Sequence, residues 1–79
     1  MTIEQRKQIL VEVVNRFGRQ EWFRDAVVHD SYPTNGEPTL ELKVNYVPVF
    51  ERKDVMSFAQ TFHLQEKFTV VDRYGKQVE

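Results

Sequence analysis

Apolar residues recur every three or four positions in the first part of the chain, which is the spacing of one face of an α-helix. Thr2 precedes this segment and Gln5 follows Thr2 by three residues, as in a capping box. Gly18 stands where a left-handed residue ends many helices. The pattern predicts a helix over Ile3–Phe17. Its apolar face consists of Ile3, Leu10, Val13, Val14 and Phe17, widened by Ile9 and Val11.

Three later segments carry the β-branched residues or the strict alternation typical of strands. They cover 26–32, 39–46 and 67–73, and an Asn-Gly turn signal between the first two predicts an antiparallel hairpin. The second strand has one polar face, and its core face is expected to hold Leu40, Leu42, Val44 and Tyr46. The first strand leaves two phases open, because either Asp30 or His29 can face the core.

A second helix is predicted over 51–63, where four apolar residues share one helical face. The element order α-β-β-α-β predicts an α+β fold, a two-layer sandwich with a three-stranded, mainly antiparallel sheet and both helices on one face. If the third strand runs parallel to the second, the expected strand order is 2-1-3. The apolar face of this helix consists of Val55, Phe58, Ala59 and Phe62.

Length and composition restrict the classes of function. Seventy-nine residues predict a single domain over 1–79, with 74–79 expected to fray. The chain has no cysteine, which excludes disulfides and thiolate chemistry. No apolar run is long enough for a membrane span, and the N-terminal residues lack the apolar segment of a signal peptide. We therefore expect a cytoplasmic protein that does not bind membranes.

No arrangement of side chains predicts catalysis or a bound cofactor. His29 and Ser31 lie two residues apart on one strand, but a glycine-rich elbow and an oxyanion-hole loop are missing from the sequence. Two histidines without cysteine make at best a partial metal site. The expectation is a protein that is not an enzyme and that has no metal or cofactor.

Four apolar residues remain after the core face of each element is filled: Val47, Val49, Phe50 and Val71. Two interpretations of Phe50 stay open, since it can pack under the second helix as a hydrophobic staple or stay exposed for a partner. Val47 and Val71 are expected to be exposed. These residues predict a small protein-interaction or regulatory module that binds another protein or forms a homodimer.

A nucleic-acid-binding module is the alternative. Arginines that surround exposed aromatic rings are typical of single-strand binding, in which charge follows the phosphates and rings stack on bases. The net charge of −1 argues against a strong field for such a partner. A second interpretation is that Trp22 and Phe23 cover one end of the core. The residues of this basic cluster are Arg16, Arg19, Trp22, Phe23 and Arg24.

Overall fold

The computed structural model describes residues 1–30 and 36–78. The first helix, α1 (Ile3–Phe17), has the predicted bounds. The capping box is present, because the Thr2 hydroxyl accepts from the Gln5 N–H at 3.1 Å and the Thr2 N–H donates to Gln5 Oε1 at 2.9 Å. These two bonds satisfy amide donors that the first turn of a helix leaves without partners. Three α1 residues are buried: Ile9, Val13 and Phe17.

The conformation expected for Gly18 is wrong. Gly18 has φ −64° and ψ −19°, which is right-handed, and its N–H donates to the Val14 carbonyl oxygen at 2.8 Å. The chain continues in the same hand through a turn in which the Gln20 N–H donates to the Phe17 carbonyl. A Cβ at Gly18 would lie 2.4 Å from the Val14 carbonyl oxygen. Close approach, and not a positive φ, therefore explains this glycine.

The first strand, β1 (Phe23–His29), begins three residues earlier than predicted. Phe23 pairs with Val44 and Asp25 pairs with Lys43 on the second strand, which leaves Arg24 as the extra residue of a β-bulge. The bulge interrupts the two-residue period, so Phe23, Ala26 and Val28 all pack on the core. The predicted strand residues 31 and 32 lie outside the described residues.

The second strand, β2 (Thr39–Val44), lies at the centre of the sheet, and the observed order is β1-β2-β3. The expected order 2-1-3 is wrong. β1 pairs antiparallel with β2, and β3 (Gln65–Val70) pairs with β2 in parallel. Placing β2 between its two neighbours buries both of its edges. Its alternate residues Leu40, Leu42 and Val44 have no exposed surface, as the alternation predicts.

The second helix, α2 (Arg52–Thr61), connects the two parallel strands. It buries Val55, Phe58 and Ala59 and ends before His63, which has φ +59°. The helix is two residues shorter than predicted at its C-terminal end, and Glu51 is its N-cap residue. Phe62 is partly buried against the core.

A tight turn follows β3 and covers one side of Val71. The Asp72 carboxylate accepts from the N–H groups of Tyr74 and Lys76, and Gly75 adopts φ +81°, which glycine tolerates. Val71 forms an isolated bridge with Gln77. Val71 is only 5% exposed, so the expected exposure of this residue is wrong. Fraying of 74–79 stays a prediction.

One apolar cluster joins both helices to one face of the sheet, which confirms the α+β fold class. Phe17 and Phe58 meet edge to face at 5.7 Å between ring centroids, and Phe17 also contacts Trp22 at 5.9 Å. Both helices use the same cluster, because only one face of the sheet is apolar along β2. Within residues 1–30 and 36–78, neither helix has the length and hydropathy needed to cross a membrane.

Candidate functional site

The chain leaves the sheet at Val44 and forms a loop that is held by hydrogen bonds of Asn45 and by the burial of Pro48. The Asn45 N–H donates to the Trp22 carbonyl and the Asn45 side-chain amide donates to the Glu21 carbonyl, both at 2.8 Å. Arg24 donates to Asn45 Oδ1 at 3.2 Å. Pro48 is fully buried. Asn45 and Pro48 therefore anchor the loop at two points.

The apolar residues around Pro48 point away from the core. Phe50 is 93% exposed and Val49 is 79% exposed, while Val47 is about one-third exposed. Phe50 immediately precedes the N-cap residue of α2, and Val55, the fourth residue of this helix, is buried. The staple interpretation of Phe50 is wrong, since a staple residue would be covered by its helix. Tyr46, expected in the core, is also exposed. We call Tyr46, Val47, Val49 and Phe50 the loop patch.

The loop patch forms one wall of a groove with a volume of about 590 Å³. Residues 19–22 form the opposite wall. The Tyr46 hydroxyl donates to the Glu21 carboxylate at 2.7 Å across the groove, and this hydrogen bond raises the pKa of Tyr46. Trp22 is 2% exposed and also lines the groove. Its indole N–H has no acceptor among the described residues.

Two opposite charges flank the groove without pairing. Arg19 and Glu51 both line it, and neither side chain has a hydrogen bond or an ion pair within the part of the chain that the structure describes. Glu51 stands at the N-cap of α2 but makes no capping bond. Its negative charge still lies at the positive end of the helix dipole. The groove therefore combines an apolar wall with one available cation and one available anion.

Val71 does not belong to the loop patch. Its side chain lies beside Arg24, Lys43 and Gly75 in a small hollow. Val47, Val49 and Phe50 are thus the part of the predicted partner-binding set that the structure brings together. The alternation of β2 predicted Tyr46 in the core, and its place at the surface was missed. Pro48 was the signal that β2 ends before Tyr46, since a proline cannot donate a backbone hydrogen bond to a neighbouring strand.

The structure does not gather the basic cluster into one surface, because its members contact different parts of the protein. Arg16 lies over the rings of Phe17 and Phe58, at 5.7 and 5.9 Å from their centroids. Arg24 donates to Asn45 and to the Arg73 carbonyl. Trp22 is buried, so its ring face is closed to a stacking base. The nucleic-acid alternative stays a prediction, since Arg16, Arg19 and Arg24 are exposed while Phe23 is half-buried.

The second face of the sheet is polar and carries a small hydrogen-bonded network. Glu41 accepts from the Thr69 hydroxyl through one oxygen and bonds His29 Nε2 at 2.7 Å through the other. The Thr69 and His29 hydrogen bonds lower the pKa of Glu41. His29 therefore faces this polar side, and Asp30 lies beyond the strand near Arg6 and the N-terminal amine. This settles the open phase of β1.

The described residues show no group of three metal-ligating side chains. The network around Glu41 offers one histidine and one carboxylate, and Thr69 is already committed to Glu41 as a donor. Ser31 lies outside the described residues, so its pairing with His29 stays a prediction. In chemical terms, the described surface offers an apolar groove with charged edges and a polar sheet face.

No protein-family profile, curated protein or solved structure gives a significant match to this chain.

Proposed function

We propose that this protein is a protein-interaction module whose binding surface is the loop patch and its groove. The observation that carries the proposal is the exposure of Phe50, an aromatic side chain 93% open to solvent beside Val49, which is 79% exposed. Large aromatic side chains dominate the binding energy of protein interfaces when they are covered. A partner that covers Phe50 removes roughly 150–250 Å² of ring surface from water.

The way the loop is held supports binding of a partner. Pro48 is fully buried and Asn45 is hydrogen bonded to residues 21 and 22. A loop held in this way presents Val49 and Phe50 with little conformational freedom left to lose, and less lost freedom favours affinity. Exposed apolar residues on a fixed loop are therefore arranged as a preformed surface.

Photo-cross-linking tests the proposal in cells that produce the protein. The photoreactive residue benzoylphenylalanine replaces Phe50, and the matched control places it at Ile3, which is exposed on α1 about 20 Å from the groove end of that helix. We expect a discrete cross-linked product from position 50 and none from position 3. The cross-linked protein is then purified and titrated, and Phe50→Ser is expected to weaken its binding at least about tenfold. Equal binding by Phe50→Ser, or the same products from both positions, would contradict the proposal.

A further inference from the structure

We infer that the partner of the groove is a second copy of this chain, an inference that rests on the proposed function. The groove and the protruding Phe50 ring belong to the same surface. A two-fold symmetric interface needs a surface that complements itself, since the same patch is used by both copies. Each copy inserts its Phe50 ring into the groove of the other, and the pair closes without leaving a further open site.

The charges beside the groove are complementary under the same two-fold axis. Arg19 and Glu51 flank the groove and have no partner within the described residues of one chain. In the two-fold pair, Arg19 of one copy faces Glu51 of the other, and the arrangement occurs twice. A surface of one sign would favour a partner of opposite charge, whereas this mixed edge favours a copy of itself. The net charge of −1 adds little repulsion between copies.

Trp22 gives a third observation. Its indole N–H is a buried donor without an acceptor among the described residues, and the side chain lines the groove. A buried donor without a partner is unfavourable, and an arriving acceptor relieves it. The loop that carries Phe50 also carries backbone carbonyl groups, so one inserted segment supplies both an apolar ring and an acceptor. Trp22 is the only tryptophan of the chain, and its fluorescence therefore reports on the groove.

Sedimentation equilibrium of the purified full chain tests the inference, up to a concentration of about 1 mM because small interfaces are weak. We expect a monomer–dimer equilibrium that is accompanied by a concentration-dependent change in Trp22 emission. Val49→Ser and Phe50→Ser are expected to raise the dimer dissociation constant at least about tenfold. Ile3→Ser removes an exposed apolar side chain outside the groove and is expected to leave the dissociation constant unchanged within about twofold. Circular dichroism checks that each variant keeps its fold.

A charge exchange tests the two-fold geometry. Arg19→Glu and Glu51→Arg each place like charges against each other twice in the dimer, so each alone is expected to weaken dimerisation by about fivefold or more. The double variant Arg19→Glu/Glu51→Arg restores the opposite pairing and is expected to recover most of the loss. A double variant that is weaker than both single variants would overturn this geometry.

The outcomes separate the inference from the proposed function. In one outcome, the wild-type chain stays monomeric at about 1 mM while position 50 cross-links to a different protein. This result overturns the inference that the partner is a second copy, and it supports the proposed protein-interaction module. A monomer with no cross-link overturns both. A dimer whose dissociation constant is unchanged by the Val49 and Phe50 substitutions and by the charge exchange forms through another surface. This result also overturns the inference.

Discussion

Glu41 shows how a single residue is held on the open face of the sheet. Its carboxylate bonds Thr69 on β3 and His29 on β1, so it joins all three strands from the central one. The side chain of Glu41 is 13% exposed, and water therefore screens these bonds only in part. Hydrogen bonds to a charged group contribute about 1.5–3 kcal/mol each when they are not fully exposed.

The lowered pKa of Glu41 predicts how its contribution changes with pH. The folded chain holds this carboxylate in the charged form more strongly than the unfolded chain does, so Glu41 stabilises the fold above its unfolded pKa of about 4.5. The stabilisation is lost as the pH falls through the lower folded pKa. We expect Glu41→Gln to reduce the free energy of unfolding at pH 7 by about 1–3 kcal/mol, and the difference from wild type to shrink in acid.

Urea unfolding of the wild-type protein and of Glu41→Gln between neutral and acid pH measures this difference in the free energy of unfolding. Glu37→Gln is the matched control, because Glu37 is an exposed carboxylate outside the sheet. A difference between Glu41→Gln and wild type that is constant across the pH range would show that the charge of Glu41 is not what stabilises the sheet.

At the scale of the elements, the close approach of the Val14 carbonyl oxygen to Gly18 at the end of α1 explains why position 18 is a glycine. Alanine usually stabilises a right-handed position relative to glycine by about 1 kcal/mol. At Gly18 the added Cβ would lie 2.4 Å from the Val14 carbonyl oxygen, a backbone atom that cannot rotate away. The turn from α1 toward Trp22 must then shift. Such overpacking typically costs about 1–3 kcal/mol.

We therefore expect Gly18→Ala to lower the free energy of unfolding by about 1–3 kcal/mol. Asn15→Ala, one turn earlier on the exposed side of α1, is the control and is expected to be neutral or slightly stabilising. Thermal and urea unfolding of the two variants provide the comparison. A stabilised Gly18→Ala chain would mean that the turn relaxes without cost.

At the scale of the whole molecule, stability depends on one small core. A chain of 79 residues has a total stability of about 4–12 kcal/mol. The central strand β2 contributes three residues with no exposed surface to that core. Removing most of one such side chain costs about 2–5 kcal/mol, which is a large share of the total.

Leu42→Ala is accordingly expected to lower the free energy of unfolding by about 2–5 kcal/mol. Val49→Ala, which truncates an exposed side chain of the loop patch, is expected to change stability by no more than about 0.5 kcal/mol. Chemical denaturation at a low protein concentration measures the stability of the single chain. Equal losses in the two variants would place Val49 in a covered environment in the free chain.

Local patterns in the sequence determined much of the architecture. The helical period and the capping box are properties of neighbouring residues, and α1 has the predicted bounds. The alternation of Leu40, Leu42 and Val44 likewise predicted the buried face of β2. The strand β1 was predicted to begin three residues too late, because the bulge at Arg24 breaks the two-residue period by which a strand is recognised.

Tertiary structure alone decided which leftover apolar residues are surface. Val71 and Phe50 carry similar local signals, yet Val71 is covered by the turn that follows β3 while Phe50 is exposed. The strand order was also beyond the sequence, since the alternation within a strand indicates which face is buried and not which strands pair at their edges. Burial of a side chain depends on segments distant in the sequence. The sequence therefore identified the candidate residues, and the packing of distant segments selected Val47, Val49 and Phe50 among them.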